Sequence, residues 1–180
     1  MRNINTPEEI VDLVDSLGRI TGREFRRIVH GNPSMLHPVV HVHIINSRHE
    51  LLLQKRSESK DVQPGKWDTA VGGHIISGES VDAAMNAEIR EELGIAPQKP
   101  ELLFTYIHRN AYESEFVYVH LMKHDGPFFP SPDEVAEIRF WPLAELEPCL
   151  GDENFTPNFT EEYPRIKPFL GTEVLNRGSR

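Results

Sequence analysis

A single cysteine, Cys149, is all the thiol chemistry in this chain, so no intrachain disulfide can brace it. A reducing, cytoplasmic setting is the expectation. Long apolar runs are missing as well. No stretch approaches the ~20 residues that cross a bilayer, so no membrane partner is expected. The opening "MRNINTPEEIVDLVDSLGRI" lacks the basic start and apolar run of a signal peptide. Positive charge is in deficit, with a net charge of −9. That balance argues against nucleic acid as a partner, because proteins that grip a phosphate backbone present a basic face. It leaves room for a local basic pocket that takes one small phosphorylated ligand. There are no repeats and no low-complexity tracts.

What is present suits one globular domain spanning 1–180: the composition is 38% hydrophobic and 26% charged, and the length allows a sizeable core but not two comfortable domains. Monomer and homodimer are equally open. Along the chain, the glycines at 18, 22 and 31 break the start into a hairpin-like element and a loop. "VVHVHIIN" alternates, with Val40, Val42 and Ile44 on one face and His41, His43 and Ile45 on the other, and a second strand is expected from Leu51 to Arg56. A strand from Trp67 to Gly73 should end in a glycine pair. Small and apolar residues at Val81, Ala84, Met85, Ile89 and Leu93 mark an amphipathic helix closed by Gly94. "ELLFTYIHRN" and "ESEFVYVHLMK" read as two strands, followed by a strand near 135–140, a short helix near 143–146 and a helical segment near 160–170. Strands mixed with a few helices predict an α/β layered fold.

The end of the amphipathic helix places Glu88, Glu91 and Glu92 within five residues. At about 100° per residue their carboxylates fall in one arc of about 100°. Like charges at this spacing repel, and acids near a helix C-terminus oppose its dipole. A solvated acidic face is one reading. The other is a hard divalent cation such as Mg²⁺ or Mn²⁺, which wants oxygen ligands and reverses the sign of the repulsion. A second group stands elsewhere: His30 and His37 flank "GNPSML", His74 follows the glycine pair, and Glu113 and Glu115 share a strand face. Imidazole with carboxylate suits Zn²⁺ or Mn²⁺, although single histidines are more often hydrogen-bonded or exposed than ligating. His41 and His43 alternate with apolar neighbours; one reading has them face the site, and the more usual one has them satisfy hydrogen bonds on the sheet. The aromatics Phe155, Phe159 and Tyr163, four apart, read as helix-to-body packing rather than a pocket lining.

From Gly73 through Glu79 to "AEIREELGI", the pattern over 73–95 resembles the signature of the Nudix hydrolases at every fixed position but one, since Ala87 stands where that family has Arg. The resemblance implies an α/β/α sandwich with a mixed sheet, in which Glu88, Glu91 and Glu92, with the carbonyl of Gly73, hold metal against a diphosphate. It also implies that the family's Arg pairs with the residue at Glu79. That partner is absent here, and whether Arg90, one turn on, reaches Glu79 is left open by the spacing. Residues 1–38 then form an N-terminal strand-and-loop extension and 142–170 a C-terminal helical segment.

The His30/His37 pair, Pro64-Gly65-Lys66-Trp67, Gly72-Gly73-His74 and Glu113-Ser114-Glu115 further resemble the type 1 isopentenyl-diphosphate isomerases, a branch of the same fold. That likeness implies that His30, His37, His74, Glu113 and Glu115 bind one metal, and that Arg56 and Lys60 hold the substrate diphosphate. The isomerase cysteine is replaced by Gly72, and no side chain at that position can move a proton on carbon. The expectation is a metal-dependent hydrolase of a small diphosphate compound. The alternatives are an isomerase-like enzyme and a degenerate domain that binds a phosphorylated metabolite without turnover.

Overall fold

The computed structural model describes residues 8–171 apart from Asp61; the first residues of the expected extension lie outside it. A hairpin of β1 (Ile10–Val14) and β2 (Ile20–Phe25) leads into a one-turn helix α1 (Arg26–Val29). Then come β3 (Leu36–Ile45), β4 (Leu51–Arg56), β5 (Trp67–Thr69), β6 (Val71–His74), helix α2 (Val81–Leu93), β7 (Glu101–Arg109), β8 (Ser114–Lys123), β9 (Val135–Trp141), α3 (Leu143–Leu146) and α4 (Pro157–Ile166).

The sheet is mixed and has seven strands. β3 runs parallel to β8 from Leu36↔Ser114 to Ile45↔Lys123 and antiparallel to β6 and β4. The stretch expected as one strand from Trp67 is two, because it changes partner at Ala70. Before that residue it pairs with β4, and after it with β3. β3 is buried at every position, as a strand covered on both faces must be.

Period-two alternation divides the core into two layers. Val40, Val42, Ile44 and Leu52 face α2 through Ala84, Met85, Ile89 and Leu93. Val39, Ile45, Leu51, Val117 and Val119 face α4 through Phe159, Tyr163 and Ile166. Each fully buried Leu, Ile or Phe contributes about 1.5–3 kcal/mol, so the two layers fix both helices against the sheet. The result is an α/β/α sandwich, as the sequence leads one to expect. Phe155, Phe159 and Tyr163 are core residues rather than pocket lining.

Each long helix has an explicit start. Ser80 caps α2 by accepting from Ala83 N–H, and Gly94 ends it in the left-handed region at φ 64°. Any Cβ on Gly94 would come within 2.3 Å of the Phe129 carbonyl oxygen, so glycine is required there on two counts. α4 starts at Pro157 rather than near 160, because Thr156 caps it by accepting from Phe159 N–H and Pro157 suits the first helical position. No helix among the described residues is long and apolar enough to span a membrane.

Candidate active site

Gly72 and Gly73 lie at the centre of the site. In a strand, successive side chains point to opposite faces, and a Cβ built on each glycine would meet different neighbours. On Gly73 it would sit 2.0 Å from Cδ of Glu88, so the α2 carboxyl occupies the space a side chain would fill. On Gly72 it would sit 3.4 Å from Cδ2 of His41, on the α4 side. The diglycine thins the sheet to bare backbone, and groups from both layers reach one cavity of about 1300 Å³.

The three glutamates of α2 differ sharply in environment. Glu92 is buried, and its Oε2 accepts from Gln54 Nε2 and from Gly72 N–H, both at 3.0 Å. Glu88 is half-buried against Gly73 and Glu91 is exposed on the cavity rim. Burial, followed by the charges of Glu92 and Glu91, pushes the Glu88 carboxyl up to about 8. Burial also raises Glu92 to about 7, although the Gly72 N–H and Lys60 pull it down. Desolvated carboxylates side by side cost free energy that a cation removes. Ala87 and Glu79 also line this cavity. Arg90 is exposed, and among the described residues no ion pair joins it to Glu79, which instead accepts from Ile76 N–H. The cations whose charge reaches Glu88 are Arg26, from α1, and then Lys60.

The second expected group also assembles. His30, His37 and His74 offer ligand atoms within 4.8 Å of one another, and so do His37, Glu113 and Glu115. The register explains this, since His37 is paired with Glu115 across the β3–β8 ladder. His30 Nε2 lies 3.0 Å from His74 Nε2 and 3.6 Å from Glu113 Oε2. His37 directs Nδ1 at the Met35 carbonyl, while its Nε2 is buried without a hydrogen-bond partner. Burial lowers His37 to about 4, and burial with the neighbouring Glu113 raises Glu115 to about 7. His37 with its orphaned nitrogen and His74, both held neutral by burial, form with His30 and the two crowded carboxyls a donor set that a divalent metal completes. The Met35 carbonyl fixes the tautomer of His37. The residues fit such a metal.

Arg56 and Lys60 both line the cavity, and each is already engaged. Arg56 donates to the Val62 carbonyl at 3.0 Å and to Asp68 at 3.3 Å, and Lys60 is ion-paired to Glu134. Several residues here carry no local sequence signal. Gln54 and Asn158 hold Glu92 and Glu115, Asn158 at 3.0 Å, and Asp68 ties Arg56 to the Thr156 cap. Arg26 could have been noticed as one helical turn before His30.

The NUDIX domain family pattern matches residues 35–163. The chain belongs to the Nudix family. It is 31% identical over 170 residues, 93% of each chain, to an uncharacterised Nudix hydrolase of Streptomyces coelicolor. It is 32% identical over 157 residues to isopentenyl-diphosphate Delta-isomerase 1 of Aromatoleum aromaticum, covering 84% of this chain and 88% of the other. Among solved structures, a Deinococcus radiodurans protein aligns with a TM-score of 0.74 at 23% identity, over 87% of this chain and 98% of that one. Both branches of the Nudix family noted in the sequence are therefore among its relatives.

The diglycine gives a sharp prediction for this Nudix domain. Gly73→Ala forces the Glu88 carboxyl out of its place, and Mn²⁺ affinity should fall by about 10- to 100-fold. Gly72→Ala adds only an ordinary contact and should leave Mn²⁺ affinity alone. A Mn²⁺ titration of both variants checks this, and equal affinities would contradict it.

Proposed function

We propose that the protein is a metal-dependent hydrolase that cleaves the diphosphate linkage of a small organic or nucleoside diphosphate compound. One observation carries the reading: Glu88 and Glu92 meet the bare backbone of the diglycine in the same cavity as the His/Glu set, while position 72 offers no side chain for proton transfer to carbon. A divalent metal, Mg²⁺ or Mn²⁺ at Glu88, Glu91, Glu92 and the Gly73 carbonyl, and Zn²⁺ or Mn²⁺ at the His/Glu set, would supply charge neutralisation and a more acidic water.

The chain's own groups do the rest. Glu91, the glutamate of the three that is exposed to the cavity, would accept a proton from water beside the metal it helps to hold. Glu92 is fixed by two donors and holds its carboxylate in place. Arg56 and Lys60 grip the outer phosphate, for which the substrate must draw Lys60 from Glu134. The isomerase alternative has its support in the isomerase-named relative and in the complete His/Glu set. Gly72 weighs against it.

The test is phosphate and monophosphate release with Mg²⁺ or Mn²⁺ across prenyl diphosphates, nucleotides, ADP-ribose and nucleotide sugars. Turnover confined to one class supports the reading. No release, with isopentenyl diphosphate converted to its isomer, would replace it.

The raised carboxyls add a pH dependence. Glu88 and Glu92 stand at about 8 and about 7 against an ordinary 4.5. Their contribution to stability without metal is therefore present below 4.5 and is lost as pH rises through 7 and 8. Metal displaces those protons and removes the repulsion. Added Mg²⁺ should raise the melting temperature more at pH 8.5 than at pH 6, and an equal rise at both would contradict the assignment.

A further inference from the structure

The α4 side of the cavity contains a buried network that the metal and phosphate groups do not use. Glu162, fully buried on α4, directs one carboxylate oxygen at each of two β3 histidines. Oε2 meets His41 Nδ1 at 2.9 Å and Oε1 meets His43 Nε2 at 2.5 Å. His43 is closed on its other side by the Thr69 hydroxyl, 3.1 Å from Nδ1. His41 is not. Among the described residues its Nε2 has no hydrogen-bond partner, and the ring lines the cavity. What leaves that edge open is Gly72, whose absent Cβ would stand 3.4 Å from Cδ2 and 3.7 Å from Nε2 of this ring.

We infer that His41 is a further substrate-contacting residue, fixed by Glu162 and donating Nε2–H, through the opening at Gly72, to a phosphoryl oxygen of the bound diphosphate. Three observations support this. An ionised carboxylate buried without a cation is costly, and the groups that can carry positive charge beside Glu162 are the two imidazoles, with the Tyr106 hydroxyl as a neutral neighbour. With Nδ1 committed to that carboxylate, a protonated ring can donate only from Nε2, which is the atom turned to the cavity. Burial disfavours charge on His41, but Glu162, followed by Glu115 and Asp68, lifts it to about 9, so the imidazolium persists at neutral pH. Gly72 thereby gains a role beyond the loss of a side chain, because it exposes a donor that any larger residue would cover. The inference rests on the diphosphate reading above.

The probe is inorganic pyrophosphate with Mg²⁺, followed by the imidazole NMR signals of the wild-type protein and by binding affinity in His41→Gln and Gly72→Ala. Pyrophosphate should displace the His41 ring signals, and each variant should weaken its binding by about 10- to 100-fold while Mn²⁺ affinity is kept. If His41→Gln does not fold, Gly72→Ala and the wild-type ring signals decide alone. Unmoved His41 signals, whether or not pyrophosphate binds, or unchanged affinity in the folded variants, would overturn the inference. The two readings fail separately. Wild-type turnover with a silent His41 removes only this inference, whereas a displaced His41 without turnover of any diphosphate removes only the hydrolase.

Discussion

Replacing Glu92 by glutamine should lower metal-dependent hydrolysis by about three orders of magnitude while the protein stays folded. The carboxyl is buried and shares one oxygen between Gln54 Nε2 and Gly72 N–H. Glutamine keeps the shape and can keep those two acceptor contacts through its carbonyl oxygen. It loses the charge, which is what a divalent ion requires. Losing several kcal/mol of charge stabilisation, at about 1.4 kcal/mol per tenfold, gives the expected drop. Because apo Glu92 is raised to about 7 by burial, the neutral variant should be no less stable than the wild type without metal. The check pairs steady-state rates with melting curves in EDTA. A variant that keeps a tenth of its activity would remove Glu92 from the metal-holding role, and one that fails to fold would show that the charge is structural.

The largest expected loss of stability comes from Glu162→Leu. This change leaves His41 and His43 buried beside an apolar side chain, without the carboxylate that both address. Breaking a buried charge pair from one side costs about 3–5 kcal/mol, or roughly 10 °C in melting temperature for a chain of this size. The sign with pH follows from both partners. Burial would raise Glu162, yet the His41 and His43 imidazoles outweigh it and hold the carboxyl well below its ordinary 4.5. Its contribution is therefore present above 4.5 and is lost as pH falls through its lower folded value. His41 is raised from 6.5 to about 9, so its contribution is complete below 6.5 and is lost as pH rises through 9. The gap between wild type and variant should be widest between pH 4.5 and 6.5 and should narrow towards pH 10. Denaturant unfolding at several pH values measures it, and a gap under about 1 kcal/mol at pH 6 would refute the paired arrangement.

The sequence made most of the sheet and the first carboxylate set legible for local reasons. Leu51–Arg56 and Leu143–Leu146 fall where alternation and periodicity placed them. Ser80 and Gly94 cap α2 as their residue types suggest. The glutamate spacing put Glu88, Glu91 and Glu92 on one arc, but their graded burial depends on the sheet beneath. The break at Ala70 is set by which strand lies alongside, and no pattern within Trp67–His74 records that. Glu162 was illegible for the same reason. In "NFTEEYPRI" it resembles a solvated helix charge, and its partner His41 lies 121 positions away. The Thr156-Pro157 start of α4, by contrast, was a local signal open to reading.

The proposed hydrolysis adds water to phosphorus. The most direct measurement runs the substrate class found in the release assay in ¹⁸O-water containing deuterium, with Mg²⁺, and follows the products by ³¹P and ¹³C NMR. Hydrolysis should place ¹⁸O in one phosphate product, none in the presence of EDTA, and no deuterium on carbon. Deuterium entering an alkene carbon while phosphorus stays unlabelled would contradict it.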